Sequence, residues 1–190
     1  MMKAKVLLAM VAVVGLATVA QASVTVQTER VASINGLEVY QVHLVATHDD
    51  QVTAFDGQFT GPLHQVWQFN GVLQTPTLSI VDPSYTEEDL AQDSHFMFTD
   101  DQLLTVEAPN EDGPGFGTYL RGIFGIMPEA QADDLLFAQI VLPAGESAVL
   151  EGVAADAEGD KFPLSAVIPE PATLSLLVLG GLALLRRKRG

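Results

Sequence analysis

The sequence predicts an all-β domain, a β-sandwich, held between two short apolar termini. Three observations carry this. Short segments alternate apolar and polar residues, as half-buried strands do. Turn pairs recur along the chain at Asn35-Gly36, Asp56-Gly57, Asn70-Gly71, Asp112-Gly113 and Glu158-Gly159. Helical periodicity is poor throughout.

The first element is an exported leader. Lys3 and Lys5 precede an apolar stretch from Val6 to Val19, and Ala20-Gln21-Ala22 supplies small residues before Ser23. A basic start, a short apolar centre and a small-residue site form a secretory signal peptide over residues 1–22, cut after Ala22. The alternative is a permanent N-terminal anchor, but the apolar stretch is short of the about 20 residues a spanning helix needs.

The domain follows over residues 23–168. Glu38 to Thr47 predicts a strand with Tyr40, Val42, Leu44 and Ala46 on one face. Leu63, Gln65, Trp67 and Phe69 share a face in the next, where Trp67 reads as core. Thr77–Val81, His95–Phe98, Leu103–Glu107, Thr118–Phe124 and Ser147–Ala155 read as further strands. Leu135–Leu142 is apolar on almost both faces and predicts a central strand, with Phe137 and Ile140 in the core. Short helical turns are expected at Thr86–Ala91 and Pro128–Asp134. Eight to ten short strands with regular turn signals fit a sandwich. The Tyr40-x-Val42-x-Leu44 strand near the start, and the strand, Pro-Ala-Gly turn and strand of Leu135–Leu150 near the end, resemble the layout of cohesin-like and carbohydrate-binding-module sandwiches of jelly-roll type. No binding residue is carried over from that resemblance.

The last element, residues 169–190, has three parts in a fixed order. Pro169-Glu170-Pro171 is stiff and extended, because proline lacks a donor and restricts its predecessor. Ala172 to Leu185 is an apolar run of fourteen residues, about 21 Å as a helix against a hydrocarbon core of about 30 Å. Gly180-Gly181 weakens it further. Arg186, Arg187, Lys188 and Arg189 then form a basic stop that stays on the cytoplasmic side. This order resembles the PEP-CTERM sorting signal of Gram-negative bacteria. The resemblance implies a transient stay of a short transmembrane helix in the inner membrane and cutting near Pro169–Pro171 by an exosortase, a membrane protease-transpeptidase. A single-pass tail anchor is the plainer alternative.

Charge narrows the partners. Residues 23–168 hold three cations, Arg30, Arg121 and Lys161, against twenty-three acids, a net charge of −20. Such a surface repels nucleic acid and anionic headgroups, which need clustered Lys and Arg, and it keeps an exported protein soluble. The chain has no cysteine, so disulfides, thiolate metal sites and thiol nucleophiles are excluded.

No enzyme is predicted. There is no Gly-x-Ser-x-Gly elbow, and His43, His48, His64 and His95 lack zinc-site spacing. Carboxylate pairs are abundant enough to arise by chance, so a glycoside hydrolase would need a cleft holding two of them about 5–10 Å apart. Calcium is the one cofactor the residues suggest: Asp156, Glu158 and Asp160 place carboxylates at alternate turn positions. The twelfth-position acid of an EF-hand is missing, since Val167 stands there, and a solvated turn is the stronger reading of these acids. The expected protein is therefore a non-enzymatic structural or adhesive component of the cell surface or extracellular matrix, processed by signal peptidase and exosortase in bacteria that make exopolysaccharide or biofilm. A secreted module that binds glycans or a partner domain is the alternative, and a secreted glycoside hydrolase the second.

Overall fold

A computed structural model describes residues 24–47, 51–66, 77–78, 86–111 and 115–168. The described residues form nine strands in chain order: β1 (Val24–Ile34), β2 (Leu37–Ala46), β3 (Ala54–Gln65), β4 (His95–Phe96), β5 (Leu103–Glu111), β6 (Gly115–Ile126), β7 (Asp134–Pro143), β8 (Ala148–Ala155) and β9 (Lys161–Ile168). They form two antiparallel sheets, one ordered β1-β2-β7-β4 and the other β5-β6-β3-β8-β9. The sandwich predicted from alternation is the fold. One short helix, α1 (Glu87–Ala91), stands where a helical turn was expected, started by a reciprocal cap between Thr86 and Asp89.

The sheets meet on a phenylalanine core. Phe55 and Phe59 from β3 and Phe124 from β6 face Phe96 from β4 and Phe137 from β7, all buried. Phe55 and Phe137 have ring centroids 4.5 Å apart, and Phe96 meets Phe124 edge-on at 5.2 Å. Offset and edge-on rings fit the quadrupole of the aromatic face. Phe137 and Ile140 are core residues as expected, and β7 is interior to its sheet. Its opposite face adds Val141 to a second small cluster with Leu37 and Val39, which explains why the strand reads apolar on both sides.

Glycine makes room for these rings. Gly122, Gly57 and Gly152 lie side by side across β6, β3 and β8. A Cβ on Gly57 would come 2.8 Å from Cζ of Phe55 and 2.6 Å from the Glu151 carbonyl oxygen. Asp56-Gly57, expected as a turn, therefore sits in mid-strand: close ring and strand approach selects glycine here, not chain reversal. Asn35-Gly36 is a true two-residue hairpin turn, with φ of 53° and 81°. Asn70-Gly71 and Asp112-Gly113 lie outside the described residues.

Other boundaries move. Leu63 and Gln65 are buried on one face as predicted, but they end a strand that begins at Ala54, and Trp67 and Phe69 lie outside the described residues. Thr77 and Leu78 form a bend, not a strand, with the Leu78 amide donating to the Phe98 carbonyl at 2.6 Å. β4 stops at Phe96, and the turn after Met127 is a single 3₁₀ turn over Pro128–Ala130, since Asp134 already opens β7. β1 and β9 were not foreseen. Both alternate between weakly apolar and polar residues, a signal blunted at sheet edges where only one face is buried.

Candidate functional site

Three regions carry chemistry-bearing groups. The first is the end of β9. This strand is one of the two edges of the five-stranded sheet and pairs with β8 in unbroken register, from Ala155↔Lys161 to Ala148↔Ile168. Lys161, Pro163, Ser165 and Val167 point outward and are exposed, while Leu164 and Ile168 are buried. A lysine and a proline on an edge strand discourage pairing with another chain. Pro169 is the next residue.

The second is the outer face of the same sheet. Register aligns Asn110, Arg121, Gln58, Glu151 and Ser165 in one cross-strand row. The adjoining row includes Ile123, Asp56 and Val153, and Leu104 lies one row further out, 58% exposed. Two open depressions mark this face. One of about 460 Å³ is lined by polar groups that include Asp56, Gln58, Thr60, Arg121 and Glu151, and one of about 470 Å³ by mostly apolar ones that include Leu104, Ile123 and Val153. Arg121 Nη2 lies 3.9 Å from Asp56 Oδ1, a half-exposed pair of small energetic weight. Arg121 and Lys161 put two of the three cations of residues 23–168 on this face. The third, Arg30, is on the other sheet and donates to Glu38 at 2.7 Å, while the Tyr40 hydroxyl donates to the same carboxylate at 2.6 Å. Those two bonds, Tyr40 first, hold Glu38 below the usual carboxylate range. Burial, then Glu38, pushes the Tyr40 hydroxyl up to about 12.

The third is a buried polar cluster where β3 and β5 end beside the chain entering β4. The Gln65 carboxamide, oriented so that both of its ends find partners, donates from Nε2 toward Glu111 Oε2, Asp93 Oδ1 and the Ser94 carbonyl, each at 3.0 Å. Asp93 Oδ1 also accepts from the Val66 amide at 2.8 Å. Gln139 Nε2 donates to the Leu90 and Asp93 carbonyls, and Ser94 Oγ accepts from the Val141 amide at 2.9 Å. His95 Nδ1 lies 3.0 Å from the Asp93 carbonyl. Burial draws His95 down to about 4, so the neutral ring donates from Nδ1. Burial first and the Asp93 charge second push Glu111 up to about 9, so that carboxyl is protonated at neutral pH. The cluster ties four segments of chain into the end of the core. Nothing in the spacing of Gln65, Asp93 and Glu111 announces it; only the fold brings them together.

Asp156 is buried and its Oδ1 accepts from the Asp160 amide at 2.9 Å, closing the β8–β9 turn, while Glu158 and Asp160 are exposed. Among the described residues no group of three or more His, Asp or Glu side chains is arranged to hold a metal ion. His43 Nδ1 lies 2.8 Å from Asp134 Oδ1, His64 Nδ1 faces the Gln92 carbonyl, and His95 is in the polar cluster. Ala20, Ala22, His48, Pro169, Glu170, Pro171 and Arg186–Arg189 lie outside the described residues, as do both predicted terminal helices. Among the described residues no helix is long and apolar enough to cross a membrane.

Comparison with known proteins assigns the tail. The family model of the PEP-CTERM protein-sorting motif matches residues 167–189, the segment in which the proline–glutamate–proline, apolar and basic parts follow one another. No curated protein and no solved structure matches the chain.

Proposed function

We propose that the sandwich is a non-enzymatic structural or adhesive component of the bacterial surface or extracellular matrix. The sorting motif makes this an exported protein that transits the membrane and is processed by an exosortase on its way to the cell surface. The observation that carries the proposal is the join: β9 runs directly into the sorting segment, so what sorting delivers includes the sandwich itself. Two features favour structure over catalysis. The buried carboxyls that the fold brings together, Asp93 and Glu111, accept from a shared amide at the end of the core, and Asp93 is 0% exposed, while Asp56 and Glu151 line an open depression on the outer face and not a deep cleft. A net charge of −20 on residues 23–168 keeps such a domain dispersed in a hydrated matrix. The host is then a Gram-negative bacterium that makes exopolysaccharide or biofilm.

The test is deletion in the native host. The proposal expects the protein in the surface or matrix fraction, weaker floc or biofilm cohesion without it, and restoration by the full chain but not by a chain truncated after Ile168. Unchanged cohesion together with lost hydrolysis of a matrix glycan would replace it with the enzymatic reading.

A second reading, a glycan-binding module, is favoured by the row Arg121, Gln58 and Glu151 beside the apolar Ile123 and Val153. Hydroxyl-binding groups next to an apolar shelf suit a sugar ring. Arg121→Ala should then lower retention on the native exopolysaccharide; equal retention would remove this reading.

A further inference from the structure

Fold and sorting motif meet without a spacer. Ile168, the last residue of β9, lies opposite Ala148 and is 0% exposed, packed into the main core. The next residue is Pro169, and the sorting-motif match begins at Val167, inside the strand. An enzyme that cuts a chain takes it as an extended segment, with main-chain hydrogen bonds along it and pockets for alternate side chains. The residues before a cut at Pro169–Pro171 are Ser165 to Ile168. Their pairing is with β8, and the Ile168 side chain fills the sandwich. One isoleucine cannot occupy the core and an enzyme pocket together.

We propose that β9 gates its own sorting: the exosortase cuts the folded precursor only when Ser165–Ile168 has left β8. The inference rests on the sorting reading above. The strand is suited to open. Among the described strands it has β8 as its one neighbour in the sheet, four of its eight residues are exposed, and Pro163 removes a donor. Strand ends of this kind open far more readily than the whole domain. After the cut the strand closes again and the mature domain keeps all of β9.

The experiment follows precursor and mature forms of the full chain by pulse–chase in a host that carries the exosortase. Val149 and Val167 are cross-strand partners, and the chain has no cysteine of its own, so a Val149→Cys, Val167→Cys variant makes a single staple across β8 and β9. The oxidised variant should be cut at least about tenfold more slowly than the same variant after reduction, since opening Ile168 is then blocked. A Gly-Ser-Gly-Ser-Gly-Ser spacer between Ile168 and Pro169 should speed cutting by about tenfold or more, because the motif no longer needs the strand to open. Should the disulfide fail to form, the spacer variant carries the test alone. Equal rates for oxidised and reduced chains, or an unchanged rate with the spacer, overturn the gate. A Pro169→Ala, Glu170→Ala, Pro171→Ala variant separates the two readings: normal cutting of that chain would overturn sorting itself, whereas its loss with a rate insensitive to staple and spacer would overturn only the gate.

Discussion

Strand β7 runs between β2 and β4 and is buried on both faces, whereas β9 lies outside β8 with an alternating, half-exposed pattern. Both are antiparallel, and both contribute to the main core. The difference lies in how many independent contacts hold each one. β7 brings Phe137 into the aromatic cluster and Val141 into the second cluster, so it cannot shift without disturbing both. β9 anchors itself chiefly through Leu164 and Ile168. A strand like β7 makes the domain; one like β9 can be the movable join between a stable domain and a segment destined for removal.

Unequal costs of mutation would sharpen the comparison. Phe137→Ala should be the most damaging change, about 3–5 kcal/mol, because it leaves a cavity among rings that cannot collapse. Chemical denaturation of the 23–168 segment measures it, and a loss under ~1 kcal/mol would mean that the aromatic core is not the centre of stability.

The polar cluster gives the next largest effect, through pH. Glu111 has its folded value raised to about 9 against 4.5 for an ordinary glutamate. A raised value means that the unfolded chain ionises first. The stability associated with neutral Glu111 is therefore full below about 4.5 and is lost as pH rises through about 9. The slope is at most that of one proton released per pH unit, so stability should fall by on the order of 2 kcal/mol between pH 7 and pH 9. Glu111→Gln should flatten this alkaline decline, and an identical decline in the variant would show that Glu111 is not its source.

Gly57→Ala comes third, at about 1–3 kcal/mol, since the new methyl group must displace Phe55 or the Glu151 backbone. A neutral outcome in thermal melts would mean that the glycine row is not there to make room. Ile168→Val is the smallest, about 0.5–1.5 kcal/mol. In the precursor it should nonetheless speed cutting, because it loosens the strand end that has to open. Slower cutting would point to recognition of the folded domain and break the contrast between β7 and β9.

The sequence made β2 and β7 legible and left β1 and β9 obscure, for a physical reason. β2 and β7 each have a neighbour on either side and a clear apolar pattern, so Tyr40, Val42, Leu44, Phe137 and Ile140 could be placed in the core from periodicity. β1 and β9 are outer strands with one face in water, and Pro163 further masks the second. Asp56-Gly57 misleads because glycine serves two purposes, reversing a chain and letting rings lie against a sheet, and only tertiary context separates them. The sorting segment was readable because its three parts are contiguous. The cluster of Gln65, Asp93 and Glu111 was not, because its members come from three separated stretches of chain and bear no local signature.

Where the mature chain ends bears most directly on delivery of the sandwich by sorting. Intact-mass measurement of the protein recovered from the surface of its native host should give an N-terminus at Ser23 and a C-terminus within Pro169–Pro171, with Ile168 and the whole of β9 retained. A recovered chain that still carries Leu174–Leu185 would contradict removal of the tail, and a chain ending inside Lys161–Ile168 would contradict the sandwich as the unit that sorting delivers.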